Sequence, residues 1–100
     1  MQSMLAIQCL PLGSEGKEEL YRLVDRAIAV IEESKLPFMV GPMETVVQGP
    51  IDRLFEIARK AHQAVLDAGG RGVATYLKLL STSELDPIED EVRKYRERGH

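Results

Sequence analysis

The stretch LPFMVGPMETVVQG, Leu36 to Gly49, decides the fold. Two short β-prone runs, Phe38-Met39-Val40 and Thr45-Val46-Val47, flank Gly41-Pro42-Met43-Glu44. Adjacent Gly and Pro mark a chain reversal, so the stretch reads as a central β-hairpin. Gly49-Pro50 then stops the strand and starts a helix, because Pro suits the first helical position, where no amide donor is needed.

On the N-terminal side, Gln2 to Leu12 is apolar on both parities and ends in Pro11 and then Gly13-Ser14, which predicts a first strand covered on both faces. Ser14 is the expected cap of a helix from about Glu15 to about Ser34, with Leu20, Leu23, Val24, Ala27, Ile28 and Ile31 on its buried side. On the C-terminal side, Ile51, Leu54, Phe55, Ala58, His62, Val65 and Leu66 form the stripe of a second helix that ends at Gly69-Gly70. Gly72 to Ser81 is the last long strand. Asp86-Pro87-Ile88-Glu89 opens a terminal helix, about Pro87 to Glu97, with a narrow seam of Ile88, Val92 and Tyr95. It is expected to dock on the domain or on a neighbouring subunit.

The element order is strand, helix, strand, strand, helix, strand. It predicts an α+β, ferredoxin-like (split βαβ) fold: a four-stranded antiparallel sheet with two helices on one face, plus the C-terminal helix. The 100 residues fit one domain, 1–100, with a modest core that oligomerisation would help to complete.

Composition narrows the function. Net charge is −3, from 13 basic and 16 acidic residues well mixed along the chain, so no basic field exists for a nucleic acid. No apolar run approaches the ~18 residues of a membrane span, and no leader pattern is visible, so a cytoplasmic protein is expected. One cysteine, Cys9, and two histidines are too few for a Cys/His zinc site, and no metal or cofactor is expected. Cys9 reads as a buried strand residue rather than a nucleophile, and His62, on an apolar stripe, as a packed and hydrogen-bonded residue rather than a catalyst. Catalysis has no motif here: there is no nucleophile beside a base and no phosphate loop. Gly13-Ser14-Glu15-Gly16 offers glycines, but acidic Glu15 and the absence of a nearby arginine oppose a phosphate site. We therefore expect a protein that is not an enzyme.

Strand parity divides the sheet. Leu5, Ile7, Cys9, Met39, Thr45, Val47, Val73, Thr75, Leu77 and Leu79 are assigned to the helix-covered face. Met4, Ala6, Gln8, Leu10, Phe38, Val40, Glu44, Val46, Gln48, Ala74, Tyr76, Lys78 and Leu80 are assigned to the other. This second face is too apolar to stay bare, yet it carries Gln8, Gln48, Tyr76 and Lys78. That make-up suits a small-molecule pocket and equally a subunit interface, and a second subunit could close such a pocket.

Gly41-Pro42-Met43-Glu44-Thr45-Val46-Val47-Gln48-Gly49 resembles the Gly-Pro-Met-x-Thr-x-x-Glu-Gly signature of a family of small thiamine-binding-type proteins. Leu36-Pro37-Phe38, Pro11-Leu12-Gly13 and Glu91-Val92-Arg93-Lys94-Tyr95 fit as well, so the resemblance covers nearly the whole chain. It implies a ferredoxin-like subunit forming homodimers or homotetramers through its sheets, with no catalysis, and a ligand such as thiamine or its hydroxymethylpyrimidine moiety. Met43, Thr45 and Gln48 are the signature positions carried over. Gln48 departs from the usual Glu: it keeps an acceptor, adds donors and loses the charge that would favour a thiazolium cation.

The expected ligand-binding set is Gln8, Phe38, Met43, Thr45, Val46, Gln48, Tyr76 and Lys78, with Phe38 and Val46 against the ring faces and the polar members supplying hydrogen bonds. Lys78 would oppose a thiamine cation unless it faces elsewhere or meets a phosphate. The competing expectation is a structural or regulatory homo-oligomer that uses the same face only for assembly.

Overall fold

The computed structural model describes residues 2–84. In order, they form β1 (Gln2–Leu12), α1 (Lys17–Glu33), β2 (Phe38–Val40), β3 (Thr45–Gly49), α2 (Ile51–Asp67) and β4 (Gly72–Thr82). The sheet is antiparallel throughout, in the order β2-β3-β1-β4, which is the ferredoxin-like arrangement. The terminal helix expected from Pro87 lies outside the described residues.

Register follows from burial. Leu5 pairs with Val47 and Leu79, and Ile7 with Thr45 and Leu77, so these side chains share the face that the helices cover. The core joins Leu5, Ile7 and Val47 of the sheet to Leu23, Ala27 and Ile31 of α1 and to Leu54, Ile57, Ala58, Ala61 and Val65 of α2. Both helices therefore pack on one side, and β1 keeps a half-exposed opposite face, with Met4, Ala6 and Gln8 only partly covered. Within one chain, the two-sided burial expected for β1 is not met.

Three local differences from the sequence reading have physical causes. First, β2 pairs Phe38 with Val47 and Val40 with Thr45, so Phe38 and Val40 belong to the helix side and Met39 to the open face. The loop between Val40 and Thr45 has an even number of residues, and an even loop puts residues of opposite number parity on one face; the reversed assignment corresponds to a one-residue slip. Second, α1 begins at Lys17 with Gly16 in the cap position and no side-chain cap. The Ser14 hydroxyl is buried without a hydrogen-bond partner among the described residues, and the Glu19 carboxylate instead accepts the Glu15 amide at 3.2 Å. Pro50 likewise stands one position earlier than expected, as the residue before α2, with its carbonyl accepting the Leu54 amide. Third, Ile51 and Phe55 of α2 are exposed; Leu77 and Leu79 are also exposed, at 42% each, on β4, an edge strand with a neighbour on one side only.

The far end of α2 follows the Gly-Gly signal. Gly69 adopts φ of 99°, a left-handed conformation open to glycine, and the Gly70 amide donates to the Val65 carbonyl at 3.0 Å.

Candidate functional site

The site starts from an offset between neighbouring strands. β1 runs to Leu12 and pairs with β4 along its whole length, but its pairing with β3 stops at Ile7 opposite Thr45. The Gly41 to Glu44 turn, closed by the Gly41 amide donating to the Glu44 carbonyl at 2.9 Å, swings away at that point. This leaves a notch between residues 8–10 of β1 and the turn.

Helix α1 roofs the notch. Leu20, Tyr21, Val24, Ala27, Ile28 and Ile31 fall at helical spacing on its inner side, and with Ile7, Cys9, Val40, Pro42 and Thr45 they line a cavity of about 280 Å³. Gln8, Leu10, Gly41, Met43 and Glu44 complete the lining. The inside is apolar and the polar groups are few, which is the usual make-up of a small-molecule site. The volume falls just under the ~300–1,000 Å³ typical of drug-sized ligands, so it suits a single small ring better than a large molecule.

Electrostatics around the cavity are simple. Lys78 Nζ lies 3.0 Å from Glu44 Oε1. Cys9 contacts Thr75, whose hydroxyl donates to Sγ at 3.6 Å and lies 2.7 Å from Nδ1 of His62. One hydroxyl proton cannot serve both neighbours, so with O–H given to sulfur the His62 ring donates from Nδ1. Burial pushes the Cys9 thiol above its ordinary range, against a smaller lowering by the Thr75 hydrogen bond. A thiol held protonated is a poor nucleophile, and His62 is engaged between helix and sheet. Among the described residues, no group of His, Cys, Asp and Glu could hold a metal ion, and no helix is long and apolar enough to cross a membrane.

The eight expected ligand residues separate into three places. On the open face Gln8 sits opposite Tyr76, and Lys78 is one row along beside Ala6 and Val46. Gln48 is opposite Met4, four residues and about 13 Å along β1 from Gln8. Met43 is at the exposed tip of the turn and Thr45 is buried on the helix side; both line the cavity, as does Gln8. Phe38, placed with the open face by parity, is on the helix side at the sheet edge and is not among the cavity residues. Val46, Gln48, Tyr76 and Lys78 are likewise outside the lining.

Periodicity puts Val24 and Cys9 on inward faces, but no local signal brings them, or Tyr21, to the notch. Their place depends on where β3 stops relative to β1, which is a tertiary fact. Spatial proximity also changes the reading of the Gly13 to Gly16 loop: Arg71, distant in sequence, pairs with Glu15 at 2.8 Å, so the arginine is present but already occupied by a carboxylate.

The chain is similar to known proteins. A family model described as "Thiamine-binding protein" matches residues 5–96. A UPF0045 protein of Clostridium perfringens is 34% identical over 92 residues, covering 92% of this chain and 95% of the relative. A solved domain of unknown function from Bacillus cereus superimposes with a TM-score of 0.82 at 33% identity, over 95% of this chain and 90% of that one. A solved protein from Streptococcus pneumoniae does so with a TM-score of 0.79 at 26% identity, over 93% and 99%.

Proposed function

The chain belongs to the thiamine-binding protein family, and from that premise we propose that it is a non-catalytic, cytoplasmic binding protein for thiamine or a hydroxymethylpyrimidine-like ligand. The observation that carries the reading is the notch cavity, because its rim is the Gly41 to Thr45 turn on which the family resemblance rests. An aminopyrimidine ring would enter between α1 and the turn, against Val24, Ala27 and Val40, with Gln8 at the polar end.

The open face supports the second part of the proposal, a homodimer or homotetramer. Tyr76 and Leu80 are exposed on it beside half-buried Met4, Ala6 and Val46, and a second copy seated there would cover apolar surface next to Gln8. Assembly and binding would then share one border.

A thermal-shift titration with thiamine and hydroxymethylpyrimidine tests the binding reading. Ligand at ~100 times its dissociation constant adds ~2.7 kcal/mol to a domain that binds it only when folded. A midpoint that climbs with concentration is expected; a flat midpoint at millimolar ligand would leave assembly as the better account of the open face.

A further inference from the structure

We infer that Glu44 makes this site selective for a cationic ring ligand and that Lys78 is a built-in competitor for the same carboxylate; the inference rests on the binding reading above. Among the described residues that line the cavity, Glu44 is the one acidic or basic side chain. A neutral ring gains from the apolar lining and from Gln8, whereas a ring carrying positive charge gains from Glu44 as well. Tyr21 is also in the lining and is the aromatic residue there. Gln48 adds no charge and stands two rows away across the open face.

Glu44 already holds a cation. The Lys78 ammonium lies 3.0 Å from its carboxylate, reaching across the open face from β4. The two ends of this pair differ in exposure, 75% for the lysine side chain and 35% for the glutamate. Lys78 can swing into water on its flexible stem, while Glu44 is held by the turn that its own carbonyl closes. An incoming cation therefore displaces Lys78 rather than Glu44. Pairs this exposed are weak, so the competitor lowers affinity by a factor of about five or less and leaves the site accessible.

The experiment compares thiamine, which carries a fixed thiazolium charge, with neutral hydroxymethylpyrimidine by calorimetric titration near neutral pH, on wild type, Glu44→Gln, Lys78→Met and the double variant. Expected are a fall of about fivefold in thiamine affinity for Glu44→Gln and a rise of about two- to fivefold for Lys78→Met. The double variant should match Glu44→Gln, and the neutral ring should bind all four proteins alike, which also reports that each is folded. Equal losses for both ligands in Glu44→Gln, or unchanged thiamine binding, would overturn the role of Glu44. Wild-type protein that binds neither ligand would overturn the binding reading and this inference with it.

Discussion

Nδ1 of His62, on α2, lies 2.7 Å from Oγ1 of Thr75, on β4. The contact ties the second helix to the edge strand, and Thr75 extends it to Cys9 on β1. Thr75→Val keeps the shape and removes the hydroxyl, leaving two partly buried polar groups without their partner. The expected loss is about 1 kcal/mol, a fall of roughly 4–8 °C in Tm for a domain of this size. Thiamine affinity should stay where it was, since neither His62 nor Thr75 lines the cavity. Strong loss of binding with unchanged stability would mean that His62 has a functional task.

Two neighbours on α2 separate pattern from packing. Leu54 is fully buried and Phe55 is 49% exposed, although both sit on the apolar stripe. Leu54→Ala should lower stability by about 2–5 kcal/mol through the cavity it leaves. Phe55→Ala should change it by about 1 kcal/mol or less. Urea unfolding of both variants checks the contrast, and equal effects would show that Phe55 is covered in solution.

The same contrast shows what the sequence makes legible. The bounds of β1 and β2, the strand–helix alternation and the inward positions Leu23, Ala27, Ile31, Leu54 and Val65 follow from periodicity and from Gly/Pro punctuation, which act locally. The faces of Phe38 and Met39 do not, because a three-residue strand has no periodicity of its own and takes its register from the loop. The cavity is further removed still. The Gly41 to Thr45 turn is recognisable in sequence, but nothing local says that the pairing of β3 with β1 stops at Ile7, or that Tyr21 and Val24 roof the gap. The Lys78 partner was likewise set by two strands meeting β1 in register, not by spacing along the chain.

Glycines at the turn and at the end of β3 give a test of the rim. A Cβ at Gly41 would lie 2.8 Å from the Glu44 carbonyl oxygen, and one at Gly49 the same 2.8 Å from Leu36 Cδ1. The first neighbour is backbone in the closed turn; the second is the flexible end of a side chain. Gly41→Ala should therefore cost about 1–3 kcal/mol and weaken thiamine binding by opening the rim, while Gly49→Ala is milder and leaves binding intact. Thermal unfolding and ligand titration on the pair check this, and the reverse order would contradict it.

Cys9 gives a pH signature. Its folded-state thiol is raised by burial, so as pH climbs above the ordinary value of 9.0 the unfolded chain loses this proton before the folded one does. The unfolded state then binds fewer protons, and this group's contribution to stability, complete below that pH, declines as pH rises through the folded-state value. Denaturation midpoints of wild type and Cys9→Ala measured on both sides should show a steeper alkaline decline in wild type. Because Cys9 lines the cavity, thiamine should also slow its alkylation by iodoacetamide, and unprotected alkylation at saturating ligand would place the ligand elsewhere.

The most direct measurement of where the ligand sits is a thiamine titration of ¹⁵N-labelled protein followed by amide chemical shifts. A ring seated in the notch moves the amides of Gln8, Cys9, Tyr21, Gly41, Met43 and Glu44 most, in a saturable way. Shifts confined to Met4, Gln48 and Leu80 at the other end of the open face, or no shifts at millimolar thiamine, would contradict the notch as the binding site.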